Sequence, residues 1–353
     1  MTDNAAPHQR RVRYGGTHPK RFEDKYKELD PSRHADELQK VMDRGQTPAG
    51  MHRSICVKEI LDILAPQAGE VGLDATLGFG GHAQEVLARL MPGGRLFGVD
   101  VDSIELPRTE ARLRNLNFPA TALVVRHLNF ADIATLLPEA GGGFDVMLAD
   151  LGVSSMQIDN PARGFSFKAD GPLDLRLDPS RGSSACELLQ SVTRQHLRDL
   201  LVDNADEPYA IPLAAALQGQ YLATTTELAD LVRHTLGASF KRSMPEEERL
   251  VETKKVLQRT FQALRIEVND ELGVLERFLA LLPSCLNPGG RVAILSFHSG
   301  EDRRVKKAFQ AGERAGIYAR VAPDPIRASF DERRANPRSS SAKLRWAVRA
   351  GAT

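Results

Sequence analysis

The chain has 353 residues, 42% of them apolar, enough to fill the core of one large domain or two ordinary ones. No apolar run reaches the roughly 18 to 20 residues that cross a bilayer, and the first twenty residues, with Arg10, Arg11, Arg13 and Lys20, lack the apolar core of a secretory signal, so no membrane partner and a cytoplasmic location are expected. A net charge of +1 excludes any argument for nucleic acid from overall charge, and the wide spacing of Cys56, Cys186 and Cys285 points to core thiols rather than a disulfide framework or a metal site.

Residues 1–50 are polar and charged, with few large aliphatic side chains, and read as an arm rather than a domain. Ile55, Ile60, Leu61 and Leu64 then recur at helical spacing before Pro66, and Val71 to Asp74 suits a buried strand. Further apolar runs at Gly94 to Asp100, Ala122 to Arg126 and Phe144 to Asp150 alternate with helical stretches at Ala83 to Leu90 and Ile104 to Leu113. Such alternation predicts a parallel sheet covered on both faces.

After Asp150 the alternation stops for about a hundred residues that contain only helix-like segments, Glu187 to Leu201, Ile211 to Leu222 and Glu227 to Leu236. It resumes with one long helix near Thr253 to Leu282 and a fifth strand, Arg291 to Phe297, announced by the Asn287-Pro-Gly-Gly290 turn. Near the end Ala342, Leu344, Trp346 and Val348 alternate with Lys343, Arg345 and Arg349, the pattern of a half-buried strand that exposes its basic side chains and pairs with one near Ile317 to Val321. The expected fold is therefore α/β, a Rossmann-like class I methyltransferase sheet with an inserted all-helical domain. Its divisions are 51–160 plus 252–353 for the sheet domain and 161–251 for the insertion.

Asp74-Ala-Thr-Leu-Gly-Phe-Gly-Gly-His82 follows the first strand and opens a helix, a context in which glycines let a ligand approach the backbone. Asp100 ends the second strand twenty residues after Gly80, where a carboxylate can accept two hydrogen bonds from a ribose diol. A pyrophosphate would want the free N–H groups of a helix start, whereas a sulfonium cation wants carboxylates. Asp74 and Asp150 bracket the crevice with acid, which favours S-adenosylmethionine over NAD. His82 reads either as a ligand contact or as a helix cap, and Asp150 either as an active-site carboxylate or as a turn former.

These motifs, with Asp150-Leu-Gly-Val-Ser-Ser-Met-Gln-Ile-Asp159, Arg163-Gly-Phe-Ser-Phe167, Gly171-Pro-Leu-Asp-Leu-Arg176, Arg259 to Asn269 and Ser296-Phe-His-Ser299, resemble the small-subunit ribosomal RNA cytosine-N4 methyltransferases of the H type (MraW-like), from His52 to Arg349. The resemblance implies that Gly80, Gly81 and His82 line the methyl-donor site. It further implies that Asp100 holds the ribose, Phe130 lies beside the adenine, and Asp150 and Gln157 approach from the fourth-strand loop, with Asp150 also serving the acceptor. The implied partner is 16S rRNA or the small ribosomal subunit; a homodimer is compatible with it. Met156 stands where the family commonly has proline, Gly300 interrupts its usual Ser-Leu-Glu-Asp, and the arm is extra.

The inserted region resembles the family's helical domain. Arg163, Phe165, Phe167 and Arg176 at its start read either as RNA contacts, combining phosphate binding with stacking, or as a hinge that packs between domains. Arg338 and Lys343 stand in a hydroxyl-rich segment suited to phosphate contacts or to a solvated loop. A cysteine beside the site, which C5-cytosine chemistry would need, is not expected. Two other functions fit the elements less well: a non-catalytic RNA binder that keeps the fold, and an NAD-dependent oxidoreductase.

Overall fold

A computed structural model of the chain describes residues 54–240 and 243–351; the polar arm lies outside the described residues. In chain order the elements are α1 (Val57–Leu64), β1 (Val71–Asp74), α2 (Gly81–Leu90), β2 (Arg95–Asp100), α3 (Leu106–Arg114), β3 (Leu123–His127), α4 (Leu137–Ala140) and β4 (Phe144–Asp150). A helical segment follows with α5 (Ser155–Asp159), α6 (Ala185–Ser191), α7 (Arg194–Ala205), α8 (Ala210–Leu217), α9 (Thr225–Ser239), α10 (Glu246–Val268) and α11 (Glu271–Cys285). The chain closes with β5 (Leu286–Ser296), α12 (Ser299–Arg314), β6 (Tyr318–Val321), α13 (Phe330–Ala335) and β7 (Lys343–Arg349).

The seven strands form one sheet in the order β3-β2-β1-β4-β5-β7-β6. Strands β1 to β5 pair in parallel, while β7 runs antiparallel to both β5 and β6. That reversed strand beside β5 is the mark of the class I methyltransferase sheet expected from the sequence. Neighbouring residues along a strand serve opposite faces: Phe97, Met147, Val292 and Ile294 join one core with Phe144 and Phe278, while Leu96, Leu148, Ala293 and Leu295 join the other with Leu87 and Leu90. Strands buried on both faces must be apolar throughout, which is why their sequences read as unbroken runs. Each large side chain so buried contributes about 1.5 to 3 kcal/mol.

The helical segment has a core of its own, built from Leu173, Leu189, Leu197, Leu213, Leu228 and Val232 and continued by Val256, Phe261 and Leu264 of α10. Two of the expected helices prove to be divided. The stretch from Glu187 to Leu201 breaks at Val192-Thr193, where the Thr193 side chain accepts the N–H of His196 and starts α7 afresh. The long helix from Thr253 to Leu282 breaks at Asn269-Asp270: Asp270 is left-handed at φ 48°, and the Asn269 side chain donates to the Leu175 carbonyl and accepts the Leu177 N–H. Contacts nearly a hundred residues away in sequence therefore end α10.

The last strand also departs from expectation. Arg345 is buried rather than exposed, with its Nε 2.6 Å from Asp302 of α12, and Lys343 donates to the same carboxylate at 3.0 Å. No described helix is long and apolar enough to cross a membrane.

Candidate functional site

The sheet order places the reversal of strand direction of growth between β1 and β4, so their carboxyl ends open a crevice. Backbone pairing continues past the strands: the Ala75 N–H reaches the Leu148 carbonyl at 2.8 Å, and the Asp150 N–H reaches the Thr76 hydroxyl at 2.6 Å. Asp74 and Asp150 are thus held on adjacent strands at the mouth of the crevice. Asp74 is only 3% exposed, and burial, only partly offset by His82 and the Thr76 N–H, pushes its pKa up to about 7.

His82 lies in the first turn of α2, 6% exposed, with Nε2 3.5 Å from Oδ2 of Asp150. Burial alone would discharge the imidazole, but the carboxylates of Asp150 and Asp74 outweigh it and hold its pKa above the ordinary value. Among the described residues Nε2 of His82 and Oδ1 of Asp150 are shielded from solvent without a hydrogen-bond partner. A buried polar atom left unpaired is costly, and one that faces a crevice is an invitation to a ligand.

Gly80 precedes α2 in the left-handed region at φ 78°, and a Cβ there would press within 3.0 Å of Thr109 and 3.1 Å of Leu113. Glycine is required on both counts. Helix α3 grips the same loop: Thr109 Oγ1 donates to the Gly78 carbonyl at 2.6 Å, while Arg112 donates to the Phe79 carbonyl and stacks 3.4 Å from its ring centre. Neither residue carried a recognisable motif.

Asp100, partly buried, accepts the N–H of Gly78 at 2.7 Å through Oδ2 and that of Asp102 at 2.9 Å through Oδ1. Burial raises its pKa against the pull of those two bonds. A carboxylate so placed at the end of β2 suits a ribose diol. Phe130 starts the turn after β3 and meets Phe278 edge-on at 5.1 Å, half-buried at the rim of the core. Gln157 closes a capping box with Ser154 and donates to Oδ2 of Asp102 at 2.6 Å. The glycine turn, Asp100 and the Asp150–His82 pair with its unbonded Oδ1 together fit a nucleoside that carries a positive charge.

The start of the helical segment corrects the RNA-contact reading of Arg163. It is 5% exposed, donates to Oδ2 of Asp102 at 2.6 Å and to the Leu177 carbonyl at 2.8 Å, and has no surface left to offer a phosphate. Phe165 belongs to the helical core, Phe167 packs against it 5.6 Å from Phe261, and Arg176 is held by Asp174 and the Gly182 carbonyl. Arg338 bonds Asp159 at 2.7 Å and stays one-third exposed.

Cys56 is buried, as expected of a core thiol, and the charges of Glu332 and, more weakly, Asp150 act on it. Its N–H donates to Glu332 at 2.9 Å, and burial first, then those carboxylates, push the thiol up to about 12. A thiol so held does not become a thiolate nucleophile at neutral pH.

The profile of the MraW methylase family matches residues 49–350. Ribosomal RNA small subunit methyltransferase H 1 of Lachnoclostridium phytofermentans is 52% identical, over 99% of this chain and 95% of its own, and methyltransferase H 2 of Alkaliphilus metalliredigens is 52% identical over 99% and 100%. These relatives align with the N-terminal arm as well, so the arm is shared rather than peculiar to this chain. Among solved structures the N-methyltransferase NodS of Bradyrhizobium japonicum covers 83% of the chain and 94% of its own at 9% identity and a TM-score of 0.37, too slight a likeness to add to the sheet order. With a matched profile over most of its length and half its residues shared with named relatives, the chain belongs to the MraW methylase family.

Proposed function

We propose that the chain transfers a methyl group from S-adenosylmethionine to the exocyclic N4 of a cytosine in the 16S rRNA of the small ribosomal subunit. The observation that carries this is the unpaired Oδ1 of Asp150 beside the buried His82, at the crevice where Asp74 and Asp100 add further acid. Two phosphates would be repelled there, which disfavours a dinucleotide. When bound, S-adenosylmethionine supplies a methyl group on a positively charged sulfur.

The chain's residues supply position and charge. Asp100 accepts the ribose hydroxyls, and Gly80, Gly81, Phe130 and Gln157 border the nucleoside. The cytosine amine is a weak nucleophile, because its lone pair is delocalised into the ring. Oδ1 of Asp150 accepts one of its N–H bonds and turns the lone pair towards the methyl carbon, so in-line placement provides most of the acceleration. The proton shed on methylation passes to the Asp150 carboxylate.

The helical segment serves as the RNA-recognition domain, and Arg338 and Lys343, before and at the start of β7, contact phosphates, joined by the exposed Arg303, Lys306 and Lys307 of α12. Digestion of in vitro methylated RNA to nucleosides, with products matched to standards by mass spectrometry, tests the reaction. Methyl groups found only on ring C5, on ribose or on adenine would overturn it.

A further inference from the structure

Both ring nitrogens of His298 are buried without a hydrogen-bond partner among the described residues. This histidine is the third residue of the Ser296-Phe-His-Ser299 motif, to which the reaction proposed above assigns no role. Strand β5 runs beside β4 with Leu295 opposite Asp150, and the Leu151 N–H donates to the Leu295 carbonyl at 2.9 Å. His298 therefore leaves the sheet next to the turn that follows Asp150, on the acceptor side of the crevice.

Its surroundings orient the ring. Glu301, 3% exposed, accepts the N–H groups of Phe297 at 2.8 Å and His298 at 3.3 Å through Oε2, and its Oε1 stands 3.2 Å from Nε2 of His298. Burial would raise the Glu301 pKa, but His298, the Phe297 N–H and the charge of Arg265 outweigh it and hold the carboxyl below its usual range. Glu301 faces Nε2, and although the ring is turned towards the Glu301 N–H as in a capping box, Nδ1 makes no hydrogen bond among the described residues. Gly300 clears the space beside that atom, for a Cβ there would stand 3.1 Å from Nδ1. One residue further, Ser299 reaches Asp206 of the helical segment at 3.4 Å, so the ring sits where sheet and helical segment meet.

We propose that His298 is an acceptor-site residue: Nδ1 accepts a hydrogen bond from an amino or hydroxyl group of the target nucleotide, and Glu301 positions the ring. This rests on the chain acting on RNA, not on the methylated atom being N4.

The test uses the full chain with Leu, Asn and Gln at position 298. Asparagine keeps a polar atom near the place of Nδ1, glutamine near that of Nε2. Melting temperature, S-adenosylhomocysteine affinity, RNA affinity without donor, and kcat/KM for RNA methylation are measured on each. His298→Leu is expected to lower kcat/KM by about tenfold or more, the worth of a lost hydrogen bond, with cofactor affinity unchanged; His298→Asn restores most of it and His298→Gln does not. An unaltered kcat/KM in His298→Leu, a parallel loss of cofactor affinity, or equal rescue by glutamine overturns the assignment. Should His298→Leu fail to fold, the Asn and Gln variants decide between the same two outcomes. A product methylated elsewhere than N4 would end the reading above and leave this comparison intact, and if no RNA is methylated, weaker RNA binding in His298→Gln than in His298→Asn decides it.

Discussion

Nη1 of Arg163 lies 2.6 Å from Oδ2 of Asp102, and both side chains are almost wholly removed from solvent. Asp102 also accepts Gln157 and follows Asp100 by two residues, while Arg163 donates to the carbonyls of Arg176 and Leu177. Ser103 adds a bond to Asp178 at 3.2 Å. The loop that presents Asp100 is thereby clasped to the start of the helical segment.

Removing one partner of such a pair strands the other in the interior, at a cost of roughly 3 to 5 kcal/mol. Arg163→Met is expected to lose stability on that scale in denaturant unfolding, whereas Arg181→Ala, an exposed change nearby, should not. Charge reversal at Arg163 is accordingly a probe of folding and not of RNA binding. Equal midpoints for the two variants would remove the clasp.

Asp100→Asn should weaken S-adenosylmethionine binding by about 1.5 to 3 kcal/mol, because the diol loses charge-assisted bonds and the Gly78 and Asp102 N–H groups lose their anionic anchor. Calorimetry on the folded variant measures it. An unchanged dissociation constant would take Asp100 out of the cofactor site.

Asp150→Ala should lower turnover more than RNA affinity, since the carboxylate orients the reacting amine rather than gripping the backbone. It also strips His82 of its main partner, so the imidazole pKa should fall, which NMR titration of the ring can follow. Equal losses in turnover and RNA affinity would place Asp150 among binding groups instead.

The Asp74 carboxyl titrates near pH 7 in the fold against 3.8 for the free group, so the folded chain keeps a proton that the unfolded chain has released. That stabilisation is complete below the unfolded value and is lost as pH rises through about 7. His82, whose pKa is also raised, acts in the same direction. Melting temperature should thus decline between about pH 5 and pH 8, and less so in Asp74→Asn, where only the histidine contribution survives. Parallel curves for the two proteins would contradict the burial of an ionisable Asp74.

Neutralising Arg303 and Lys307 together should weaken RNA binding evenly across sequences and reduce the slope of log affinity against log salt by about two. Filter binding over a salt series reads both quantities. An unchanged slope would clear α12 from the RNA surface.

The positions of most strands and helices, the glycine loop with Asp100 behind it, and the reversed last strand were legible in the sequence, because hydrophobic period and turn chemistry are written in neighbouring residues. What charged and polar side chains do there was not. Arg163 reads locally as a surface cation beside aromatic residues, yet its partner Asp102 lies 61 positions earlier. Arg345 alternates like an exposed strand residue, yet Asp302 on a packed helix draws it inside. The break at Asn269 depends on carbonyl and amide groups of Leu175 and Leu177. A buried charge is stable only where the fold delivers its counter-charge, and that delivery is a property of three dimensions, with no period along the chain to announce it.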